Sequence, residues 1–192
     1  SDMAIGLARM FNIKLPVNFF SPYKSKNIIE FWRRWHITLS NFLKDYIYIP
    51  LGGSRNGKAK QLSNLLITML IGGLWHGAGW TFVIWGGMHG LFLIINHLWL
   101  NWKWQFIPSQ YLDKTITKLI AWLITILALI LSWVIFRSET LNGAMTMYSA
   151  MFGYNGLSLP NSMSSSLPIL LSFFPDANIM TNGVGIFSEG SN

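Results

Sequence analysis

Residues 61–102 read QLSNLLITMLIGGLWHGAGWTFVIWGGMHGLFLIINHLWLNW, and no Asp, Glu, Lys or Arg occurs among them. Lys60 and Lys103 bound this uncharged stretch. One membrane-spanning helix requires roughly 20 apolar residues, so the stretch predicts a hairpin of two membrane crossings joined by a very short turn. It also contains three of the four histidines of the chain, His76, His89 and His97.

The composition of the whole chain is that of an integral membrane protein. Of its 192 residues, 52% are hydrophobic and 11% are charged, whereas soluble domains have roughly 25% charged residues. The net charge of +7 does not indicate nucleic-acid binding, because eight of the 14 basic residues lie within residues 24–60, directly before the uncharged stretch. Such a cluster is typical of a cytoplasmic segment under the positive-inside rule. The chain has no cysteine, which excludes a cysteine nucleophile within it.

Three further segments complete the predicted all-α fold. Apolar residues recur at spacings of three and four through residues 28–47, with charged side chains opposite them, and predict an amphipathic helix in the membrane interface. Residues 119–136 form an uncharged run that is long enough to predict a third crossing. Residues 157–192 are punctuated by Gly, Ser, Asn and Pro, so we expect a loop-rich extracytoplasmic segment. The glycines and basic residues of residues 50–60 leave two interpretations open, an anion cradle or an ordinary cytoplasmic loop.

The histidines are the candidate functional residues. His76 lies 14 residues after Leu62, where the first crossing is expected to start, and His89 lies 14 residues before Lys103, which predicts a similar depth of about 21 Å for both. Titratable side chains are costly in hydrocarbon and usually face a bundle interior or a watery cavity. The pattern alone also allows a structural hydrogen-bonding role for each, and an interfacial role for His36. No metal site is expected, because the histidine spacings match no HxxxH or HExxH pattern.

Two long motifs resemble the membrane-bound O-acyltransferase family. They are EFWRRWHITLSNFLKDYIYIPLGGSRNG at residues 30–57 and GGLWHGAGWTFVIWGGMHG at residues 72–90. The resemblance covers most of residues 1–156 and is closest to the polysaccharide-acetylating branch, which includes the bacterial alginate O-acetylation proteins. It implies that residues 1–156 are part of a polytopic catalytic core from the C-terminal half of a longer protein. We therefore expect these 192 residues alone not to catalyse.

The resemblance also implies an activity and assigns roles to individual residues. It implies an acyltransferase that moves an acetyl group from a cytoplasmic thioester donor, such as acetyl-CoA, toward hydroxyls of an exported polysaccharide such as alginate. The invariant histidine of the family corresponds to His76 in LWHG, the expected general base. The family position in RWH corresponds to His36, expected as a supporting residue near the donor entrance. His89 matches a histidine common in this branch, for which the resemblance implies no role, and no bound cofactor is expected.

The implied location is the bacterial cytoplasmic (inner) membrane, as a multi-pass protein. The implied partners are the lipid bilayer, exported or periplasmic acyltransferase proteins and a polysaccharide acceptor, with no nucleic acid. One alternative is transfer of D-alanyl or another acyl group from a carrier protein to a cell-wall polymer, although the PLGGSRNG loop favours acetyl transfer. A second, from a different class, is a proton-coupled transporter with buried histidines.

Overall fold

The computed structural model describes residues 2–106, 114–154, 157–158 and 179–180. In chain order its elements are α1 (Asp2–Met10), a 3-10 turn (Pro22–Lys24), α2 (Ile28–Arg34), α3 (Ile37–Leu43), a π-helical turn (Lys44–Tyr48), α4 (Lys58–His76), α5 (Trp80–Phe106), α6 (Thr115–Arg137), α7 (Leu141–Met151), β1 (Leu157–Ser158) and β2 (Ile179–Met180). The two short strands pair in parallel. The predicted all-α class is confirmed, since helices account for every longer element that the structure describes.

The chain divides into two compact units, residues 1–141 and 142–192. The second unit contains most of α7 and the strand pair. Apart from β1 and β2, the segment predicted as loop-rich, residues 157–192, lies outside the described residues. All candidate site residues belong to the first unit.

The uncharged stretch forms a helical hairpin. Helices α4 and α5 cover it and are joined by only three residues, 77–79. The predicted third crossing, residues 119–136, lies within α6. By length and hydropathy, α6 and the part of α5 up to Trp102 could each cross a membrane.

Glycines bring the backbones of α4 and α5 into direct contact. A Cβ atom built on Gly73 would lie 3.2 Å from the Cα of Gly86 and would overlap the carbonyl oxygen of Phe82. A Cβ built on Gly86 would in turn overlap the carbonyl oxygen of Met69. Only residues without a side chain allow so close an approach, which is the usual basis of tight helix packing in membranes. The hairpin therefore depends on this pair of glycines.

The core of the unit lies where α2 meets α4, α5 and α6. Its buried members are Ile28, Phe31, Met69, Leu93 and Leu129. They come from four different helices, so the core joins α2 to the hairpin and to α6.

The structure differs from the single amphipathic helix predicted over residues 28–47. Helix α2 ends at Arg34, and α3 begins only at Ile37. Between them His36 adopts the left-handed conformation, with φ 43° and ψ 55°. Sequence periodicity missed this break because the apolar spacing continues across it, although two residues leave the helical path, Trp35 with an extended backbone and His36 with a left-handed one. An L-residue in this region costs roughly 1–2 kcal/mol, so the surrounding contacts must hold it there.

Residues 22–53 fold back on themselves, and we call them the folded-back segment. Its first half contacts α6 at several points. The carbonyl oxygen of Tyr23 accepts a hydrogen bond from Nε1 of Trp122 (2.7 Å), and the rings of Tyr23 and Trp35 lie 6.0 and 6.1 Å from that of Trp133. These contacts hold the first half of the segment, up to the break at His36, against α6.

The second half of the folded-back segment returns along α4. A Cβ built on Gly72 would lie 3.1 Å from the Cδ1 of Leu43, so α3 approaches α4 closely at this point. Further back along α4, the buried Asn64 donates hydrogen bonds from Nδ2 to the carbonyl oxygens of Leu51 (3.1 Å) and Gly53 (3.0 Å). His36 consequently lies at the tip of the segment, at the end of α4 that carries His76.

We expect Gly86→Ala to destabilise the hairpin, because its new methyl group would meet the backbone of α4. Overpacking of this kind typically costs about 1–3 kcal/mol of folding free energy. The matched control is Gly87→Ala on the same helix, where a Cβ would meet only the Cδ2 of Leu70 at an ordinary 3.5 Å. Melting temperatures in detergent measure the difference, and equal values for the two variants would contradict the packing described here.

Candidate active site

His76 is the last residue of α4 and lies in a half-buried aromatic pocket. Four rings surround its imidazole, with ring centroids 5.0 Å away for Trp75, 6.2 Å for Phe82, 5.2 Å for Trp85 and 5.0 Å for Phe136. Three of these rings meet the imidazole at close to a right angle, and only Phe82 is stacked on it. Helices α4, α5 and α6 all contribute, so the pocket exists only when these three helices are packed together.

His36 approaches the same place from the folded-back segment. Its ring centroid lies 6.2 Å from that of Trp75, again edge to face, and 5.9 Å from that of Phe19. Its Nδ1 atom is buried and has no hydrogen-bond partner among the residues that the structure describes. An unpaired buried nitrogen is costly, and its presence at a strained backbone position is typical of functional sites.

Asn18 holds the break at His36, a role that no sequence pattern indicated. Its side-chain Oδ1 accepts hydrogen bonds from the backbone N–H of Thr38 (3.1 Å) and from the hydroxyl of Thr38 (3.0 Å). Its carbonyl oxygen accepts a third from the N–H of Ile37 (2.9 Å). Asn18 thereby caps α3 from outside, which His36 does not do with its own side chain. No periodicity links positions so far apart in the sequence, so only the three-dimensional structure could reveal the contact.

The structure brings His76 and His36 to the same indole. Trp75 contacts both imidazoles, although the two histidines are distant in the sequence. The site therefore contains two imidazoles within an otherwise aromatic wall. Imidazole side chains are the groups most often used for proton transfer in catalysis, so this arrangement suits acid–base chemistry.

His89 lies farther from the turn of the hairpin than His76 does, contrary to the similar depth predicted from the sequence. The ring of His76 contacts Phe82 and Trp85, which precede His89 by seven and four residues on α5. That separation corresponds to about 6–10 Å along the helix. Counting from the polar ends failed because the turn begins directly after His76, whereas His89 lies nine residues beyond the start of α5. The Trp85 ring separates the two histidines, 5.2 Å from His76 and 4.7 Å from His89.

The glycine-rich loop of residues 50–57 supports the first turns of α4. The backbone N–H groups of Gly52, Gly53 and Arg55 donate to carbonyl oxygens within the same turn. Asn64 binds two carbonyl oxygens of the loop. Because these N–H groups already have partners, the geometry favours the ordinary loop over the anion cradle.

Known proteins with similar sequences supply independent information about the chain. It is 51% identical over 158 residues to a protein of Helicobacter pylori described as "Peptidoglycan O-acetyltransferase", a match that covers 82% of this chain and 29% of that protein. It is 47% identical over 168 residues to a "Probable alginate O-acetylase AlgI" of Pseudomonas syringae pv. tomato, covering 87% of this chain and 30% of that protein. A "Teichoic acid D-alanyltransferase" of Streptococcus thermophilus is 36% identical over 110 residues, or 54% of this chain and 26% of that protein.

The chain thus spans less than a third of the length of each of these curated relatives. The family model described as "MBOAT, membrane-bound O-acyltransferase family" matches residues 1–183, nearly the whole chain. Together with the apolar helices α5 and α6, this match identifies a membrane protein. The chain belongs to the membrane-bound O-acyltransferase family.

Proposed function

We propose that the protein to which this chain belongs is a membrane O-acetyltransferase that modifies hydroxyl groups of an exported polysaccharide. The observation that carries the proposal is the convergence of His76 and His36 on Trp75. The relatives support acetyl as the acyl group, because two that match most of this chain are named as an O-acetyltransferase and an O-acetylase. Alginate and peptidoglycan, which those relatives are named for, both contain sugars and present the same acceptor chemistry, a sugar hydroxyl.

His76 is the general base in this proposal. A hydroxyl is a poor nucleophile near neutral pH, so a base must remove its proton as the oxygen attacks the thioester carbonyl. The C–O bond then forms while the C–S bond breaks, and the imidazolium returns the proton to the departing thiolate sulfur. The products are an O-acetyl ester and a free thiol, with His76 restored. His36, whose ring lies 6.2 Å from the same Trp75, is the supporting residue on the path of the donor.

The donor in this proposal is a cytoplasmic acyl thioester, with acetyl-CoA as the first candidate. Lys58 and Lys60 begin α4, and Lys114 and Lys118 flank the start of α6, so the positive-inside rule favours a cytoplasmic location for these ends. His76 ends the helix that Lys58 begins, about 27 Å away along α4. The base is therefore closer to the side of the acceptor than to the side of the donor.

The proposed topology is that of a multi-pass protein of the bacterial cytoplasmic membrane. Residues 61–102 make the hairpin and residues 119–136 a third crossing, within a partial catalytic core of residues 1–156. Residues 157–192 then follow on the extracytoplasmic side. An exported or periplasmic acyltransferase that receives the acetyl group there, and the polysaccharide itself, are the proposed partners.

Single-cysteine labelling tests this topology, because the chain itself contains no cysteine. In a full-length protein cleared of other cysteines, Lys58→Cys should react with an impermeant maleimide only after the cytoplasmic side is exposed. Ala78→Cys, in the turn of the hairpin, should react from outside intact cells. Labelling of both positions from the same side would contradict the hairpin crossing.

His76→Ala should reduce acetyl transfer to background, since a positioned general base typically contributes about 10²–10⁴-fold to the rate. The assay supplies acetyl-CoA to the full-length protein and measures release of free thiol together with the O-acetyl content of the glycan. His97→Ala is the matched control, because His97 lies on α5 outside the aromatic pocket. Wild-type transfer in His76→Ala, at equal membrane abundance, would refute the assignment.

His36→Gly should separate the catalytic and structural contributions of His36. Glycine adopts the left-handed conformation without strain, so this variant should fold at least as stably as His36→Ala while lacking the imidazole. We expect a partial loss of transfer, about 10-fold or more, in both variants, with the lower melting temperature in His36→Ala. Full activity in His36→Gly would show that the imidazole of His36 does not contribute to transfer and that only the backbone conformation at this position matters.

The D-alanyl alternative has one specific observation in its favour, the match to a teichoic acid D-alanyltransferase over 54% of the chain. The same assay decides between the two reactions. Transfer from acetyl-CoA without a carrier protein supports acetylation. Transfer only from an acylated carrier protein, with no thiol released from acetyl-CoA, would favour the alternative.

A further inference from the structure

His89 is completely buried, and both of its ring nitrogens are hydrogen-bonded. The indole Nε1–H of Trp32 on α2 donates to Nδ1 over 3.2 Å. On the other side of the ring, Nε2 lies 3.0 Å from the hydroxyl oxygen of Ser132 on α6. Three helices that are distant in sequence therefore meet at one side chain.

The donor and the acceptor of every hydrogen bond in this cluster can be assigned, starting from the indole N–H of Trp32. An indole N–H can only donate, so Nδ1 of His89 must be the acceptor and the ring proton of the neutral imidazole resides on Nε2. Nε2–H consequently donates to Ser132. The hydroxyl of Ser132 donates in turn to the carbonyl oxygen of Leu129, 2.8 Å away. The hydrogen bonds run in one direction only, from Trp32 through His89 and Ser132 to Leu129.

This series of hydrogen bonds cannot carry protons. Proton relay requires groups that can exchange donor and acceptor roles, and the indole at one end has no lone pair with which to accept a proton. The buried His89 is therefore neither a relay nor a second base in the arrangement seen here. Its remaining role is structural, because the hydrogen bonds at both nitrogens fix the orientation of the ring.

The fixed ring of His89 packs against Trp85, and Trp85 packs against His76. Ring centroids are 4.7 Å apart for His89 and Trp85 and 5.2 Å apart for Trp85 and His76. Trp85 is 5% exposed, and its indole nitrogen has no hydrogen-bond partner in the described part of the chain. Hydrogen bonds therefore do not orient this indole, so the rings packed on its faces and edges must do so.

We propose that His89 is a positioning residue that sets the orientation of the base His76 through the ring of Trp85. The hydrogen bonds to Trp32 and Ser132 fix His89, His89 fixes Trp85, and Trp85 forms one wall of the pocket that holds His76. This inference rests on the proposed function of His76. It assigns to the hydrogen-bonded cluster a share in the chemical step, in addition to its contribution to folding.

The distinguishing consequence is a loss in kcat without a comparable change in KM. A displacement of a catalytic group by about 1 Å can reduce a rate by about 100-fold. His89→Leu keeps a similar volume but removes both ring hydrogen bonds, so we expect kcat to fall by about 10–100-fold. The KM for the thioester donor should change less than about threefold, because His89 does not line the pocket around His76.

A double-mutant cycle tests the path through Trp85. In the full-length protein, kcat is measured for His89→Leu, for Trp85→Leu and for the double variant with acetyl-CoA as donor. If His89 acts through Trp85, the double variant should be no slower than the slower single variant. Multiplication of the two losses in the double variant would overturn the path. His97→Leu, the same change on the same helix, is the control and should retain wild-type kcat.

A second variant keeps the proposal falsifiable if His89→Leu does not fold. Trp32→Phe retains a six-membered aromatic ring but removes the five-membered ring of the indole, and with it the N–H group that fixes Nδ1 of His89. Because the Trp32 ring also lies 6.0 Å from that of Trp85, the variant tests the cluster of Trp32, His89 and Trp85 as a whole. We expect a smaller loss, about 3–10-fold in kcat by the same displacement argument, with the melting temperature within a few degrees of wild type. Unchanged kcat in Trp32→Phe, or a wild-type kcat in a folded His89→Leu, would overturn the inference.

The outcome for His76→Ala distinguishes this inference from the proposed function. Wild-type transfer in His76→Ala would show that His76 is not the general base and would refute the proposed function. An inactive His76→Ala together with a fully active, folded His89→Leu leaves the base in place and refutes only the positioning role.

Discussion

The contact between Gly73 and Gly86 is the constraint on which the rest of the site depends. It lets the backbones of α4 and α5 touch. His76 lies three residues beyond one glycine, and Trp85 directly precedes the other. A wider separation of the helices would therefore move the imidazole of His76 away from the indole of Trp85. In lipid no hydrophobic effect drives helices together, so close packing of this kind has to supply the association.

The pairing of two helices over residues 61–102 could be predicted because the absence of charge is a property of a continuous stretch. That both helices cross a membrane stays a prediction, since of these two helices only α5 has the length and hydropathy of a crossing. His76 was a candidate because it lies within the uncharged stretch, and the family resemblance ranked it above His89 and gave His36 a role. The catalytic roles of His76 and His36 stay predictions. The resemblance pointed to the residues, and only the structure supplied the shared contact with Trp75.

Two features could not be predicted because they depend on contacts between distant residues. The break at His36 has no glycine or proline beside it, and the apolar periodicity continues across it. Its cause is Asn18, which lies outside the predicted helix and caps α3 from the side. The depth of His89 relative to His76 likewise depends on where the turn begins, which composition does not determine. In each case tertiary contacts override a pattern that was regular along the chain.

The folded-back segment has a consequence for the order in which the protein enters the membrane. Residues 22–53 are synthesised before α4, α5 and α6, the helices against which they pack. The segment contains Glu30, Arg33 and Arg34 and a backbone interrupted at His36, and both features are unfavourable in contact with lipid. It can settle against its neighbours only after the ribosome has completed Arg137, the last residue of α6. The ring cluster around His76 likewise cannot be complete before then, because Phe136 belongs to α6.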